Sequence, residues 1–533
     1  MFRAEIKEEI KKIVKKIFLA QGGPTLGWSV ERSESASWRT EHGDYSSNAA
    51  LVLAKRETKN PREVAEEIKQ QLLRRPTSKS EKTFDVLKFI ERVEIAGPGF
   101  LNFFISRSAL TAELQGILKN KKSIFKSNND KLRINLEFVS ANPTGPLTMA
   151  NSRGGFYGDA LANILKAVGH KVTREYFIND AGNQIKLLGE SILAAEGNLP
   201  AGGPVKEEYY KGAYIKKLKG KTADEAVKIL LSGIKKSLKK AGIKFDVWFS
   251  EEKNLRKKGE LKKVLELLNK KKLLKERGGA LWLGDAVAVK SNQEYTYFLA
   301  DLAYHYDKFI KRKFDLVINI WGADHHGYVA RMQKGAEALS VNPARLKIII
   351  MQLVRLISQG KEVKMSKRAG EFITLDDLLK EVGLDAARWF FLERSPDTHM
   401  DFDLDLAKER SKKNPVYYVQ YAHARACSIL RKGKAGKKPN LQLLIQPEEF
   451  TLIKKILQLS EIIEDITGDF QVHRLTRYVY ELAQAFTNFY EKQHVIDKEN
   501  KELTQARLAL VSATQKTIKN GLNLLGISAP EKM

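Results

Sequence analysis

Residues 137–155 read E-F-V-S-A-N-P-T-G-P-L-T-M-A-N-S-R-G-G. A β-like run, Ile134–Val139, ends inside this stretch, and a Pro/Gly loop, N-P-T-G-P at 142–146, follows it. Small residues then open a helix whose apolar pattern is clear over Gly158–Val168. A helix N-terminus offers free N–H groups and the positive end of the peptide dipoles, so phosphate is its natural ligand. Gly154 and Gly155 leave room there for a flat or charged group to come close. Further along, strands are predicted at Lys171–Ile178, Leu316–Trp321 and Ile348–Val354, with a helix from about Ala330. Strands alternating with helices imply a parallel sheet with right-handed crossovers. Ligands of such sheets bind at the carboxyl ends of strands, where the chain order reverses. Residues 196–295 break the alternation. They are rich in lysine, as in K-K-L-K-G-K at 216–221, and read as an insertion.

The flanks have other textures. Residues 1–118 read as a small α+β unit. Ile6, Ile10, Ile13, Ile17 and Phe18 recur at helical spacing, and a second helical pattern lies around Ser46–Lys55. Pro61 opens a third helix with Asn60 as its N-cap. Val86–Val93 and Phe100–Ile105 read as strands around an A-G-P-G turn at 96–99. The polar, Lys-rich 119–131 is a linker, and 132–410 is the sheet domain. Over 411–533 only amphipathic helical patterns remain, around 417–430, 449–467, 472–493 and 501–525, which make a bundle.

The 533 residues carry 92 Lys plus Arg against 64 Asp plus Glu, a formal net charge of +28. A chain this basic is expected to meet a polyanion. The single cysteine, Cys427, excludes an intramolecular disulfide and any multi-cysteine zinc site. Charges interrupt every apolar stretch of the first 18 residues, which excludes a signal peptide there. No run approaches the roughly 18 apolar residues of a membrane span. A cytoplasmic location is expected.

A second motif, G-K-E-V-K-M-S-K-R-A-G at 360–370, follows the predicted strand Ile348–Val354. Lysines on a glycine-flanked loop suit a triphosphate whose charge grows during transfer. K-M-S-K at 364–367 resembles the mobile loop of class I aminoacyl-tRNA synthetases, and the wider text resembles the bacterial arginyl-tRNA synthetases. The matching stretches are collinear and span nearly the whole chain: R-E-Y-F-I-N-D-A-G-N-Q at 174–184, Y-T-Y-F-L-A-D-L-A-Y-H at 295–305, N-I-W-G-A-D-H-H-G-Y at 319–328, D-T-H-M-D-F-D-L-D-L-A at 397–407 and Y-Y-V-Q-Y-A-H-A-R at 417–425. The resemblance implies an α/β Rossmann-like parallel-sheet catalytic domain with an insertion, an N-terminal α+β domain and a C-terminal all-α bundle that binds the anticodon.

It also implies an arginine–tRNA ligase that takes ATP with Mg2+, arginine and tRNA(Arg), with no zinc and no membrane partner, as a monomer. By resemblance, Glu137, Ser140, Asn142, Tyr297, Asp301 and His325 surround arginine. Asp301 takes the guanidinium, and Ser140 and Asn142 take the α-amino end. Pro143, Thr148, Asn151, Gly154, Met365, Ser366 and Lys367 bind ATP, with Thr148, Asn151, Lys364 and Lys367 as the catalytic set. Asn48, Tyr417 and Tyr421 are the expected tRNA contacts. Asp324, His325 and His326 lack convergent partners in sequence and are not read as a metal site. His423 and Cys427, one helical turn apart, read as packing and surface residues.

One departure matters. Class I enzymes usually carry H-x-G-H where this chain has Thr148-Met149-Ala150-Asn151. Both imidazoles are replaced by neutral hydrogen-bonding groups, although tryptophanyl enzymes of the same class resemble this pattern with T-x-G-N. Ala150 adds a methyl group where the adenine is expected to stack. Two other readings follow: a catalytically weakened tRNA-binding paralogue, and a class I synthetase of another specificity.

Overall fold

Asn60 caps as its position predicts. Its Oδ1 accepts the Arg62 N–H at 2.9 Å and starts a helix at Pro61. The computed structural model describes residues 2–18, 27–32, 43–74, 88–119, 131–198, 206–363, 372–433 and 439–533. The N-terminal unit runs α1 (Phe2–Phe18), β1 (Val30–Arg32), β2 (Tyr45–Ser47), α2 (Ala49–Glu57), α3 (Pro61–Leu73), β3 (Ile90–Ala96), β4 (Phe100–Ile105) and α4 (Arg107–Lys119). Its antiparallel sheet has the order β1-β2-β4-β3. The α1 residues Ile6, Ile10 and Val14 are buried, so that apolar face packs inside the protein. The second helix starts three residues later than the periodicity suggests, because Tyr45–Ser47 pairs with β4 as a strand.

The sheet domain runs β5 (Arg133–Glu137), α5 (Met149–Ala167), β6 (Lys171–Ile178), α6 (Asn183–Glu196), α7 (Ala213–Lys216), α8 (Ala223–Lys240), β7 (Val247–Ser250), α9 (Glu260–Lys270), β8 (Leu274–Arg277), β9 (Ala280–Leu283), β10 (Ala286–Val289) and α10 (Tyr297–Tyr306). It continues with β11 (Leu316–Gly322), α11 (Val329–Ala338), β12 (Leu346–Met351), β13 (Val354–Ser358), β14 (Lys361–Glu362), α12 (Leu375–Val382), α13 (Leu384–Leu392), β15 (Met400–Asp403) and α14 (Leu404–Lys408). Five parallel strands stand in the order β12-β11-β5-β6-β7. The chain steps from β5 to β6 and β7 on one side, then returns to place β11 and β12 on the other. The order therefore reverses between β5 and β11, and the crevice at their carboxyl ends is the expected ligand position.

Three expectations change here. The stretch 196–295 is not wholly outside the sheet, since its Val247–Ser250 pairs with β6 as the edge strand β7. Ile348–Val354 is not one strand: β12 ends at Met351, and β13 begins at Val354 in a separate sheet with β14 and β15. Helix α5 begins at Met149, nine residues before Gly158. The polar start of α5 lacks apolar periodicity, but burial holds it: Ser152, Arg153, Gly155 and Phe156 are all buried.

The bundle comprises α15 (Pro415–Lys432), α16 (Pro447–Leu457), α17 (Leu459–Asp469), α18 (His473–Lys492) and α19 (Lys501–Leu525). The single pattern at 449–467 is two helices that meet at Gln458. The N-terminal unit docks on α17, where Arg3 pairs with Asp465 at 2.6 Å and Tyr45 donates to Glu461 at 2.9 Å. Among the described residues, no helix is long and apolar enough to cross a membrane. The linker core, 120–130, lies outside the described residues.

Candidate active site at the sheet switch point

After Glu137 the backbone turns sharply. Val139 and Ser140 both adopt positive φ, 67° and 37°. A β-branched residue there is an outlier that costs on the order of 1–3 kcal/mol and persists only when its surroundings fix it. They do. The Ser140 hydroxyl donates to Glu137 Oε1 at 3.1 Å and accepts the Phe177 N–H at 3.1 Å. The Tyr176 hydroxyl donates to the Ala141 carbonyl at 2.7 Å. The loop is thus tied to both β5 and β6.

A buried relay runs behind it. Glu137 Oε2 meets the fully buried Lys308 Nζ at 2.6 Å. Lys308 also donates to Asn319 Oδ1 at 3.0 Å. That contact orients the Asn319 amide, so its Nδ2 faces His305 Nε2 at 2.8 Å. His305 therefore carries its proton on Nδ1, which donates to the Asp301 carbonyl oxygen at 2.7 Å. Burial, with Lys308 nearby, pushes the imidazole down to about 3, so it is neutral at neutral pH.

The acids around this crevice are not equivalent. Glu137 pairs with Lys308, Glu175 with Arg312 and Glu251 with Arg256. Both oxygens of Asp180 are taken, by the Ser250 hydroxyl and the Glu252 N–H. Asp301 differs: among the described residues its carboxylate meets only a hydroxyl, Tyr328 donating at 2.7 Å, and no cation. Burial pushes Asp301 up to about 7. The Tyr328 bond opposes the shift, and the charges of Glu137 and Glu251 add to it.

The other expected arginine residues gather unevenly. Tyr297 opens α10 one turn before Asp301, is 52% exposed, and lies over Gly182. Thr296 Oγ caps the helix by accepting the Leu299 N–H at 3.4 Å. The Asn142 and Asn179 amides meet at 3.2 Å. His325 is half exposed on a short turn, beside Trp321 and Tyr328. Each Glu137 oxygen already has one partner, Ser140 on Oε1 and Lys308 on Oε2. Among the described residues, no group of three His, Cys, Asp or Glu side chains is placed to hold a metal ion, Asp324–His326 included.

At the start of α5, Asn151 Oδ1 accepts from Thr148 twice, from N–H at 3.1 Å and from Oγ–H at 2.9 Å. Pro143 is buried in the preceding loop, and Ala150 is exposed. Gly154 has ordinary room, with Ile320 at 3.7 Å from where a Cβ would sit, and Gly155 packs on Ile243 and Val139. Close approach is compulsory at Gly158 instead, where a Cβ would fall 2.3 Å from the Phe138 ring. Lys364, Met365, Ser366 and Lys367 lie outside the described residues, but the chain that follows them is stitched to the α5 entry. Met149 N–H donates to the Ile373 carbonyl and Leu375 N–H to the Leu147 carbonyl, each at 2.9 Å.

Besides Lys308, sequence reasoning missed the buried cations Arg153 and Arg388. Arg153 donates to the carbonyls of Gln352, Ser395 and Thr398 at 2.7–2.9 Å, which ties α5 to the β12–β13 connection. Arg388 holds Asp159 and the carbonyls of Leu525 and Ala241, joining the sheet domain to the bundle. An arginine in an otherwise apolar helix, R-W-F-F-L at 388–392, was the available signal.

The expected tRNA residues lie away from this crevice. The Asn48 side chain is engaged, accepting the Ser29 N–H at 2.8 Å. Tyr417 and Tyr421 are half-buried on α15, and Arg425 stacks between the rings of Tyr421 and Tyr490. His423 and Cys427 are both buried, with the imidazole Nδ1 against the Pro530 carbonyl at 2.8 Å.

A parallel sheet that reverses beside the start of a helix, with the segment 373–375 hydrogen-bonded to that start, is the arrangement of a class I aminoacyl-tRNA synthetase. Comparison with known proteins narrows the class. Residues 4–105 match the family described as arginyl tRNA synthetase N terminal domain, residues 113–198 and 205–418 the catalytic domain of tRNA synthetases class I (R), and residues 419–533 the DALR anticodon binding domain. The arginine–tRNA ligase of Bacillus subtilis is 42% identical over 99% of this chain and 98% of its own length. That of Listeria monocytogenes is 43% identical over 92% of this chain and 93% of its own. The arginyl-tRNA synthetase structure from Thermus thermophilus shares the fold, with a TM-score of 0.79 over the whole of both chains at 22% identity. The chain belongs to the arginyl-tRNA synthetase family.

Proposed function

We propose that this chain activates arginine at the β5–β11 crevice and passes it to tRNA(Arg). The arginine carboxylate attacks the α-phosphorus of ATP, pyrophosphate leaves, and the adenylate gives arginine to the terminal adenosine of the tRNA. One observation carries the assignment of the pocket: among the described residues the buried Asp301 carboxylate accepts one side-chain hydrogen bond, from the Tyr328 hydroxyl, and pairs directly with no cation. A guanidinium completes it, with Tyr297 packed beside it and Asn142 and Ser140 at the α-amino end. Glu137 acts through Lys308 and Ser140 and shapes the pocket wall. The protein's contribution is positioning and charge stabilisation.

ATP phosphates lie at the start of α5, near Asn151 and Gly154, with Lys364 and Lys367 on the leaving pyrophosphate. Magnesium comes with the nucleotide, on its phosphates. Tyr417 and Tyr421 stack on unpaired bases, and the N-terminal unit around Asn48 meets another part of the tRNA. The chain divides near residues 118, 131 and 410 and works as a cytoplasmic monomer. The test is arginine binding by calorimetry. Asp301→Asn keeps the Tyr328 contact but removes the charge, and it weakens arginine binding by at least 100-fold with little change in ATP affinity. Unchanged arginine affinity contradicts the assignment.

A further inference from the structure

Helix α10 and the π-helical turn that continues it, Asp307–Lys311, carry a polar stripe through the sequence Y-F-L-A-D-L-A-Y-H-Y-D-K-F at 297–309. Tyr297, Asp301, His305 and Lys308 follow one another at steps of four, four and three, and so share one face. The stripe runs from the exposed Tyr297 to the fully buried Lys308. The lysine is held on three sides, by Glu137 Oε2 at 2.6 Å, Asn319 Oδ1 at 3.0 Å and the ring of Tyr304, 4.0 Å from Nζ to the centroid. It therefore joins α10 to β5 and β11, the two strands at the switch point. A buried ion pair adds little stability, since the desolvation of both charges offsets their attraction, and an apolar pair of similar size often serves as well. Stability alone gives no reason for a lysine here, but the neighbouring charges do. Glu137, Glu175 and Glu251 pair with Lys308, Arg312 and Arg256, and among the described residues Asp301 pairs directly with no cation. Without Lys308, Glu137 and Asp301 become two uncompensated carboxylates in one wall, and such neighbours resist being ionised together.

We propose that Lys308 is a positioning residue that sets the specificity of the arginine pocket: from behind the wall it neutralises Glu137 and leaves the Asp301 charge for a guanidinium. It touches no substrate itself. This inference rests on placing the guanidinium at Asp301. The groups around Asp301 are Glu137 on β5, Glu251 after β7 with its partner Arg256, Tyr328 and His325 on the turn before α11, and Lys308 and the neutral His305 on its own helix. Burial raises the Asp301 carboxyl most, the Tyr328 bond opposes it, Glu137 and Glu251 add to it, and Lys308 opposes it.

Arginine binding by calorimetry, repeated between about pH 5 and 9, tests this. In the unmodified chain the affinity falls as pH drops through about 7. Lys308→Met removes the cation at similar length and moves that midpoint up by about one pH unit. Glu137→Gln leaves Lys308 uncompensated near Asp301 and moves it down. The double variant, with an uncharged pair, returns it to the starting value. At neutral pH, Lys308→Met also narrows the preference for arginine over citrulline, its uncharged isostere, about tenfold. A midpoint unmoved by Lys308→Met, or an equal loss of both ligands, makes the lysine a packing residue and overturns the inference. Should Lys308→Met fail to fold because Glu137 is stranded, the double variant is compared with Glu137→Gln: a higher midpoint in the double supports the inference, and equal midpoints overturn it. If the unmodified chain binds no arginine, the inference falls together with the pocket assignment it rests on. Binding whose midpoint ignores Lys308 overturns the inference and leaves that assignment standing.

Discussion

Asp301 and Tyr328 form the most informative pair at the scale of single residues. The Asp301 carboxyl is held up at about 7, mainly by burial, and the Tyr328 hydroxyl lowers it by bonding the charged form. Only the ionised form attracts a guanidinium. As pH falls through about 7 the free protein gains a proton there, and kcat/KM for arginine falls about tenfold per unit below it. Tyr328→Phe removes the bond that favours the charge, so the pKa rises and the acid limb moves to higher pH. A pH–rate profile of both forms checks this; an acid limb near the ordinary carboxylate range, unmoved by Tyr328→Phe, contradicts it. Glu137 teaches the opposite lesson. Its place in E-F-V-S-A-N-P-T-G-P reads as a substrate ligand, and the structure adds a partner that the motif does not show, Lys308, 171 positions away. Such a pairing is invisible in sequence because both partners look like ordinary charged residues, and only the fold buries them together. Removing one partner strands a buried charge at a cost of about 3–5 kcal/mol.

At the scale of elements, the start of α5 shows why apolar periodicity alone places a helix start too late. M-A-N-S-R-G-G has neither apolar periodicity nor high helix propensity. It is helical because Arg153 bonds three carbonyls and because Gly155 and Gly158 let the helix sit against the end of β5. Gly158→Ala forces a Cβ into the Phe138 ring and is expected to destabilise the protein by about 2 kcal/mol or more, read as a lower denaturation midpoint with unchanged slope. An unchanged midpoint would mean the ring moves away freely. The strand β7 escaped notice for a related reason: V-W-F-S is four residues long inside a lysine-rich stretch, and its pairing with β6 is a long-range event. The strands of the switch point itself, β5, β6 and β11, were legible from their apolar runs, as were the capped helix at Pro61 and the bundle helices. The crevice at the switch point was therefore readable, while the ion pairs that line it were not.

For the whole molecule, the net charge of +28 acquires places on the surface. Helix α8 buries Ala226, Leu230, Ile234 and Leu238 and turns Lys228, Lys235, Lys236, Lys239 and Lys240 to solvent, and α9 likewise exposes Lys262, Lys263 and Lys270. Phosphate contacts set affinity and its salt dependence but carry no sequence information. Reversing Lys236 and Lys239 to Glu should weaken tRNA binding at low salt about uniformly across tRNAs and lower the log–log salt slope by roughly one unit per lost contact. Filter binding across a salt series reads this out, and an unaltered slope removes α8 from the interface. The N-terminal unit, clasped to α17 through Arg3 and Tyr45, and the bundle, joined to the sheet domain through Arg388, keep these surfaces in register with the crevice. The central claim is that this crevice activates arginine although its phosphate motif carries threonine and asparagine in place of two histidines. ATP–pyrophosphate exchange, run with arginine and with each other amino acid, with and without tRNA(Arg), tests it most directly. Exchange with arginine alone, lost in Asp301→Asn, is the result predicted. Exchange with a different amino acid, or no exchange under any condition alongside tight tRNA binding, would contradict it.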